Sequence, residues 1–317
     1  MVWMPFFCLA IGFFIGINNL PERTLEIFNK VISVALIMLM LTIGINIGMN
    51  DSVMLNINII GLNCLIISLG AIIFSILFMV IIEKTVLPLE KIRDKLLSEN
   101  INIKNEISIS CNEKRKSSPL IWIMPISIVI GVIFGYFFKM YIRTFILDYI
   151  LIGSLIMLYA SVGIDLGDNR KVFKYIKLLG FKIIYVSIAI FIGSLVGGLV
   201  AGIMFSIPLH ISVMSASGMS YYSLTGAYMT QVYGIEAGTY GFVVNVMREF
   251  FTVLLLPFLI RISIGSPIAG GAAGNMDTML VPVTKFVGAE LGLVALITGV
   301  ILTVIVPLIL PILHGLL

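Results

Sequence analysis

Long apolar runs dominate this chain, at residues 2–17, 31–49, 59–82, 120–138, 149–166, 183–206, 239–260 and 289–313. About 20 apolar residues carry a helix across the hydrocarbon core of a bilayer, so each run is a candidate span. The runs are continuous and do not alternate, which points to helices and away from the strands of a barrel. Composition agrees: 60% of the 317 residues are hydrophobic and 11% charged, whereas soluble domains sit near half and a quarter. The first run lacks a basic leading region and an Ala-x-Ala-like cleavage site, so it reads as a true span and not a removed signal. Cys8, Cys64 and Cys111 have neither metal-ligand nor disulfide-framework spacing. The net charge of +4 matters here through its distribution, and no nucleic-acid partner is expected.

Two internal repeats organise the runs. Shifting the sequence by 119 positions lays 1–83 over 120–202, with no gap. Trp3 then meets Trp122, Gly12 and Gly16 meet Gly131 and Gly135, Gly44 and Gly48 meet Gly163 and Gly167, Gly61 meets Gly180, and Ser68 and Ser75 meet Ser187 and Ser194. Each copy holds three spans, so the second copy is inverted if the linker between them stays on one side. A shift of 54 relates 216–260 to 270–314, pairing Gly234 with Gly288, Glu236 with Glu290, Gly238 with Gly292 and Pro257 with Pro311. Each of these copies opens with a polar-interrupted segment, 215–226 or 270–278, and ends in a long helix. The expected fold is therefore an all-α polytopic membrane protein. Its parts are a three-span repeat (1–83), a polar cytoplasmic linker (84–119), an inverted three-span repeat (120–206) and a transport region (207–317).

Basic residues mark the cytoplasmic side. Arg23 and Lys30, eight residues of the linker, and Arg170, Lys171, Lys174, Lys177 and Lys182 fall on one side, against Lys139 and Arg143 on the other. The N-terminus is thus expected outside. The interrupted segments either cross as broken helices or enter and return as hairpins. Hairpins place both Arg261 and Lys285 inside, giving about eight full spans with both termini outside.

Candidate site residues cluster in the shorter repeat. Glu249 stands mid-run, where an acid costs at least about 2.5–3.5 kcal/mol unless it faces protein or a water-filled cavity. Its neighbour Arg248 points about 100° away on a helix, so it is expected to reach a hairpin tip or carbonyl oxygens. Asp277 lies at the expected tip of the second interrupted segment, beside Asn275; Tyr222 and Ser223 mirror it in the first, with Ser223 opposite Asp277 under the shift of 54. Asp277 is equally readable as a helix cap. The ends of the second and fifth runs carry Asn46, Asp51 and Asp165 among Gly-x-x-x-Gly spacings, which favour close helix packing. His-Glu-x-x-His, Gly-x-Ser-x-Gly and cofactor motifs are absent from the sequence, so no enzyme and no cofactor is expected.

Gly218 through Gly226, Arg248-Glu249, Met276-Asp277-Thr278, the Gly163-Ile164 turn and the closing Val306-Pro307…Pro311 helix together resemble the bacterial lysine-exporter family LysO. The resemblance spans nearly the whole chain outside 84–119. It implies an inner-membrane exporter of L-lysine and close analogues, with the N-terminus outside and a pair of intramembrane acids. By position, Glu249 matches one acid and Asp51 the other. The chain departs at Ala273-Gly274-Asn275, where the family more usually has Thr-Ser before Met-Asp, and its proline is displaced to Pro282.

The expected partners are lysine or a similar small cation, protons and the lipid bilayer, and a homo-oligomer is compatible with the sequence. A buried carboxylate suits the cationic end of lysine, while Arg248 or the N-termini of half-helices suit its carboxylate. A cation–proton antiporter is the alternative, since acids beside broken helices suit Na⁺ as well. A membrane sensor or scaffold with 84–119 as its output is a third reading.

Overall fold

A computed structural model describes residues 4–17, 22–98, 119–139, 142, 144–168 and 180–317, and the regular structure among them is helical, with no strand. The helices are α1 (Met4–Ile17), α2 (Glu22–Met49), α3 (Asp51–Leu55), α4 (Ile57–Thr85), α5 (Leu89–Ser98), α6 (Pro119–Phe138) and α7 (Thr144–Asp168). They continue as α8 (Ile184–Met204), α9 (Leu209–Ser217), α10 (Tyr222–Tyr233), α11 (Ile235–Ile262), α12 (Ser266–Gly271), α13 (Leu280–Val287) and α14 (Ala289–Leu316). Of the apolar runs, α2, α4, α7, α8, α11 and α14 carry stretches long and apolar enough to cross a membrane; the described apolar parts of α1 and α6 are shorter. The protein is thus an all-helical, multi-pass membrane protein. Residues 99–118 of the expected linker, Cys111, and Arg170, Lys171, Lys174 and Lys177 lie outside the described residues, as do the side chains of Asp165 and Asp168.

Glycines decide which helices touch. A Cβ added at Gly12 would collide with the carbonyl of Ala160, and one at Gly16 with that of Ile164, so α1 lies against α7 backbone to backbone. The corresponding collisions at Gly131 and Gly135 are with the carbonyls of Leu41 and Ile45, which brings α6 against α2. Gly163 and Gly167 on α7, and Gly44 and Gly48 on α2, complete the two crossings from the other side. These contacts repeat at the spacing of 119 that relates the sequences. Helices in lipid gain little from hydrophobic exclusion, so close backbone approach supplies the contact area. A third crossing joins α4 to α8, where Gly193 faces Phe74 and Ser75 and Gly197 faces Gly70 and Ala71. There Ser75 Oγ and Ser194 Oγ, themselves 119 residues apart, lie 3.1 Å from each other in the buried interior.

The shorter repeat folds by a second set of glycine signals. Gly234 and Gly288 take φ of +89° and +90°, a left-handed backbone that glycine adopts without steric cost. They turn α10 into α11 and α13 into α14. Glu236 and Glu290 then sit in the first turns of α11 and α14, where the helix dipole favours an anion. Gly238 packs on Thr230 and Gly292 on Thr284, folding each long helix back on the short one before it.

The interrupted segments are broken as expected. The first stops at Ser217 and resumes at Tyr222; the second runs from α12 through a 3₁₀ turn, Ala272–Met276, before α13. The breaks meet: the Ala273 amide donates to the Met219 carbonyl at 2.9 Å. Met219, Ser220 and Ala272 hold φ of +47°, +76° and +48°, each costing on the order of 1–3 kcal/mol for a residue with a side chain. At the far ends, the rings of His210 and Tyr233 lie 5.0 Å apart, and His314 Nδ1 is 2.9 Å from the Tyr233 hydroxyl. Near the opposite ends of the long helices, the Gly265 amide donates to Glu83 Oε2 at 3.3 Å.

Because Gly12 and Gly131 fill corresponding places, Gly12→Val and Gly131→Val are expected to cost similar amounts, at least about 1–3 kcal/mol each. A Cβ at Gly153 meets nothing within 4 Å, so Gly153→Ala should be neutral. Thermal unfolding of the purified variants measures all three.

Candidate functional site

Helix α11 carries the polar centre. Asn245, Arg248, Glu249 and Thr252 fall at helical spacing in an otherwise apolar stretch, so they form one polar stripe. Arg248 is buried, with 1% exposure. Its Nη1 donates to Ser194 Oγ at 2.7 Å and its Nη2 to Ser75 Oγ at 3.1 Å. Nη2 also donates to the Ala269 carbonyl at 3.2 Å and Nε to the Gly270 carbonyl at 3.3 Å. Among the described residues no carboxylate forms an ion pair with it. The guanidinium therefore joins the α4–α8 crossing to the end of α12, where carbonyls left over by the helix need donors. These partners account for Arg248, which is not among the residues lining the cavity described next.

Asn245 holds the other break. Its Oδ1 accepts from the Ser220 amide at 2.7 Å, and its Nδ2 donates to the carbonyls of Ser215 at 2.9 Å and Gly241 at 2.7 Å. Ser220 thereby keeps its left-handed backbone while its own hydroxyl, fully buried, has no partner among the described residues.

Glu249, about 100° round the helix from Arg248 at the edge of the stripe, faces a cavity of about 180 Å³. The cavity lies between Ile32 and Leu36 of α2, Ser161 of α7, Thr303 of α14 and the two breaks. Drug-sized pockets run to about 300–1,000 Å³, so this one suits a solute of amino-acid size. Thr278 Oγ1 donates to Glu249 Oε1 at 3.1 Å. Gly274 lies so close to that oxygen that an added Cβ would crowd it. Asp277 is exposed and lines the same cavity, and its Oδ1 accepts from the Thr278 amide.

The expected site residues thus separate into groups. Glu249, Asp277, Tyr222 and Ser223 line one cavity, and Tyr222 stacks edge-on against Phe242 with ring centroids 5.5 Å apart. Asn275 is buried beneath the 3₁₀ turn: its Nδ2 donates to the Ile268 carbonyl at 2.7 Å, and its Oδ1 has no partner among the described residues. Asn46 is buried on α2 and is not among the described residues that line the cavity; Asp165 belongs to α7, and its side chain lies outside the described ones. Asp51 is exposed at the start of α3 and pairs with Lys139. Leu36 and Asp51 are fifteen residues apart along the chain, most of them in α2, which places Asp51 about 20 Å from the cavity. Ser220, Asn245, Thr278, Ser161 and Thr303 were not expected. The polar stripe on α11 was the available signal for Asn245, which shares a helix face with Glu249 four residues later.

Replacing Asn245 by Leu removes the partner of the Ser220 amide and of the Ser215 carbonyl. The expected loss is about 1–3 kcal/mol of stability for stranding buried polar groups. Thr278→Val deletes one half-buried hydroxyl and should cost under about 1.5 kcal/mol. Thermal or denaturant unfolding in detergent distinguishes the two.

Comparison with known proteins accords with this layout. The family model of the lysine exporter LysO matches residues 6–93 and 126–314. The "Lysine exporter LysO" of Escherichia coli K12 is 29% identical over 155 residues, covering 49% of this chain and 52% of that protein, so the match spans about half the length of that relative. A "Putative lysine exporter" of Haemophilus influenzae is 26% identical over 156 residues, 49% of this chain and 80% of its own. No solved structure matches. With the family model matching most of its length, and the family being one of exporters and not of enzymes, the chain belongs to the lysine exporter LysO family.

Proposed function

We propose that this protein exports L-lysine and close cationic analogues from the cytoplasm across the bacterial inner membrane, driven by proton entry. The observation that carries the reading is the placement of Glu249 and Asp277 in one cavity at the meeting of two broken segments. Two carboxylates there suit a substrate with two ammonium groups. The relatives known as a lysine exporter and a putative lysine exporter point the same way.

The topology in this reading has about eight spans, both termini outside, and two hairpins that enter from opposite sides. Several distances support it. A helix spanning 209–233 would separate its ends by about 37 Å at 1.5 Å per residue, yet His210 and Tyr233 are in ring contact. The first hairpin therefore enters and leaves on one side, together with the end of α14 at His314. Gly265 at the start of the second hairpin touches Glu83 at the opposite, linker side. The contacts repeating at 119, with Ser75 meeting Ser194 and α1–α7 matching α6–α2, fit an inverted three-span scaffold. In that frame Ile32 and Leu36 lie in the cytoplasmic half of α2 and Ser161 in the cytoplasmic half of α7, so the cavity loads from the cytoplasm. Asp51 and Lys139 lie at the outer edge, where Asp51 belongs to the exit path and not to the loading site.

Coupling follows from one carboxyl serving two cations in turn. Ionised Glu249 holds a lysine ammonium, with Thr278 fixing its orientation. When the site faces the more acidic outside, a proton takes the ammonium's place, and the protonated acid returns. Lysine binding should therefore weaken as pH falls. Reconstituted vesicles test this: lysine flux should rise when the pH gradient drives protons opposite to lysine, and Glu249→Gln should abolish the coupled component. Coupled flux of ordinary size in Glu249→Gln would sink the reading. The hydroxyls of Ser220 and Ser223 beside two carboxylates also offer oxygen ligands to a bare cation, which favours a Na⁺–proton antiporter as the second reading. Competition by lysine and not by Na⁺ for the same site separates the two.

A further inference from the structure

Helix α10 begins at the cavity wall. Tyr222 and Ser223, its first two residues, line the cavity beside Glu249 and Asp277. The first intrahelical acceptor is the Tyr221 carbonyl, which takes the Thr225 amide at 3.1 Å. The amides of Ser223 and Leu224 precede that bond, and the Tyr221 side chain does not cap them. A twelve-residue helix presenting such amides attracts an anion through both its dipole and its N–H groups.

A second, independent observation lies next to it. Ser220 lines the same cavity with 3% exposure, and its hydroxyl has no partner among the described residues. Its backbone is fixed by Asn245 in a left-handed turn at φ +76°. A buried, unpartnered hydroxyl on a strained residue is costly, and it is explained if a ligand supplies the missing partner. Arg248 does not play this part: four of its five N–H groups are committed to Ser75, Ser194, Ala269 and Gly270, and it does not line the cavity.

We propose that the Ser220 hydroxyl and the amides opening α10 form the subsite for the substrate's carboxylate, in the cavity that Glu249 and Asp277 also line. This rests on the export reading and adds a specificity: the transported cation must also be an amino acid. Diamines that lack the carboxylate then bind weakly even though both ammonium groups match.

The test uses the purified full-length protein in lipid nanodiscs, titrated calorimetrically with L-lysine, L-lysinamide and 1,5-diaminopentane. Lysine should bind about tenfold tighter or more than either analogue, the range expected for charge-assisted hydrogen bonds. Ser220→Gly tolerates the left-handed turn and removes the hydroxymethyl side chain that carries the hydroxyl. It should weaken lysine binding several-fold and leave 1,5-diaminopentane unchanged. The proposal is overturned if 1,5-diaminopentane or lysinamide matches lysine on the unaltered chain, a comparison that needs no variant. It is also overturned if Ser220→Gly weakens lysine and 1,5-diaminopentane alike or neither. Absence of lysine binding to the unaltered chain overturns the export reading itself, and this subsite with it.

Discussion

Arg248 brings a full positive charge into apolar surroundings, where insertion costs roughly 2.5–3.5 kcal/mol even on lenient scales. The structure answers that cost with four neutral acceptors: the hydroxyls of Ser75 and Ser194 and the carbonyls of Ala269 and Gly270. Two acceptors belong to the α4–α8 crossing and two to the end of α12. One side chain thus ties the three-span pair to the broken segment that forms part of the cavity. Removing it would take this donor from the buried Ala269 and Gly270 carbonyls and leave the Ser75 and Ser194 hydroxyls to each other. One position on, about 100° round the same helix, Glu249 lines the cavity, so a guanidinium held by neutral acceptors and a carboxyl facing the cavity sit side by side without pairing.

Around this tie, small side chains and strained turns set the shape of the site. Gly274 lets Glu249 approach the 3₁₀ turn, and Gly299 brings α14 against Asn275 and Met276. Asn245 performs for the first break what backbone contact at Gly299, 54 positions later, performs for the second. The first copy fills the space with an amide side chain, and the second closes it with backbone. The two breaks also border the cavity with different chemistry: Ser220, Tyr222 and Ser223 from the first, Asp277 from the second.

Much of this was legible in the sequence. Long apolar runs announce spanning helices because a bilayer leaves few other solutions. Paired glycines at Gly12, Gly16, Gly44 and Gly48 and their counterparts announce close crossings, and Gly234 and Gly288 mark turns with positive φ. Interrupted segments flagged where Tyr222, Ser223 and Asp277 would gather with Glu249. Other features needed three dimensions. Ser75 and Ser194 align with each other in the repeat, but nothing in the alignment says that they meet, or that Arg248 meets both. The hydroxyl of Thr278 reaches Glu249 across 29 residues. Asp51 was grouped with Glu249 by acidity and resemblance, although a position at a helix end and one at mid-helix already implied different depths. Asn245 was overlooked because a single uncharged residue barely lowers the hydropathy of its run.

The central claim is that Glu249 exchanges a proton for the ammonium of the exported amino acid. Calorimetric titration of the purified protein with L-lysine, repeated in buffers of different ionisation enthalpy at one pH where the acid is protonated, counts the protons released on binding. The account predicts close to one proton released per lysine bound, and none from Glu249→Gln. Lysine binding with no proton release, or with the same release from Glu249→Gln, would contradict it.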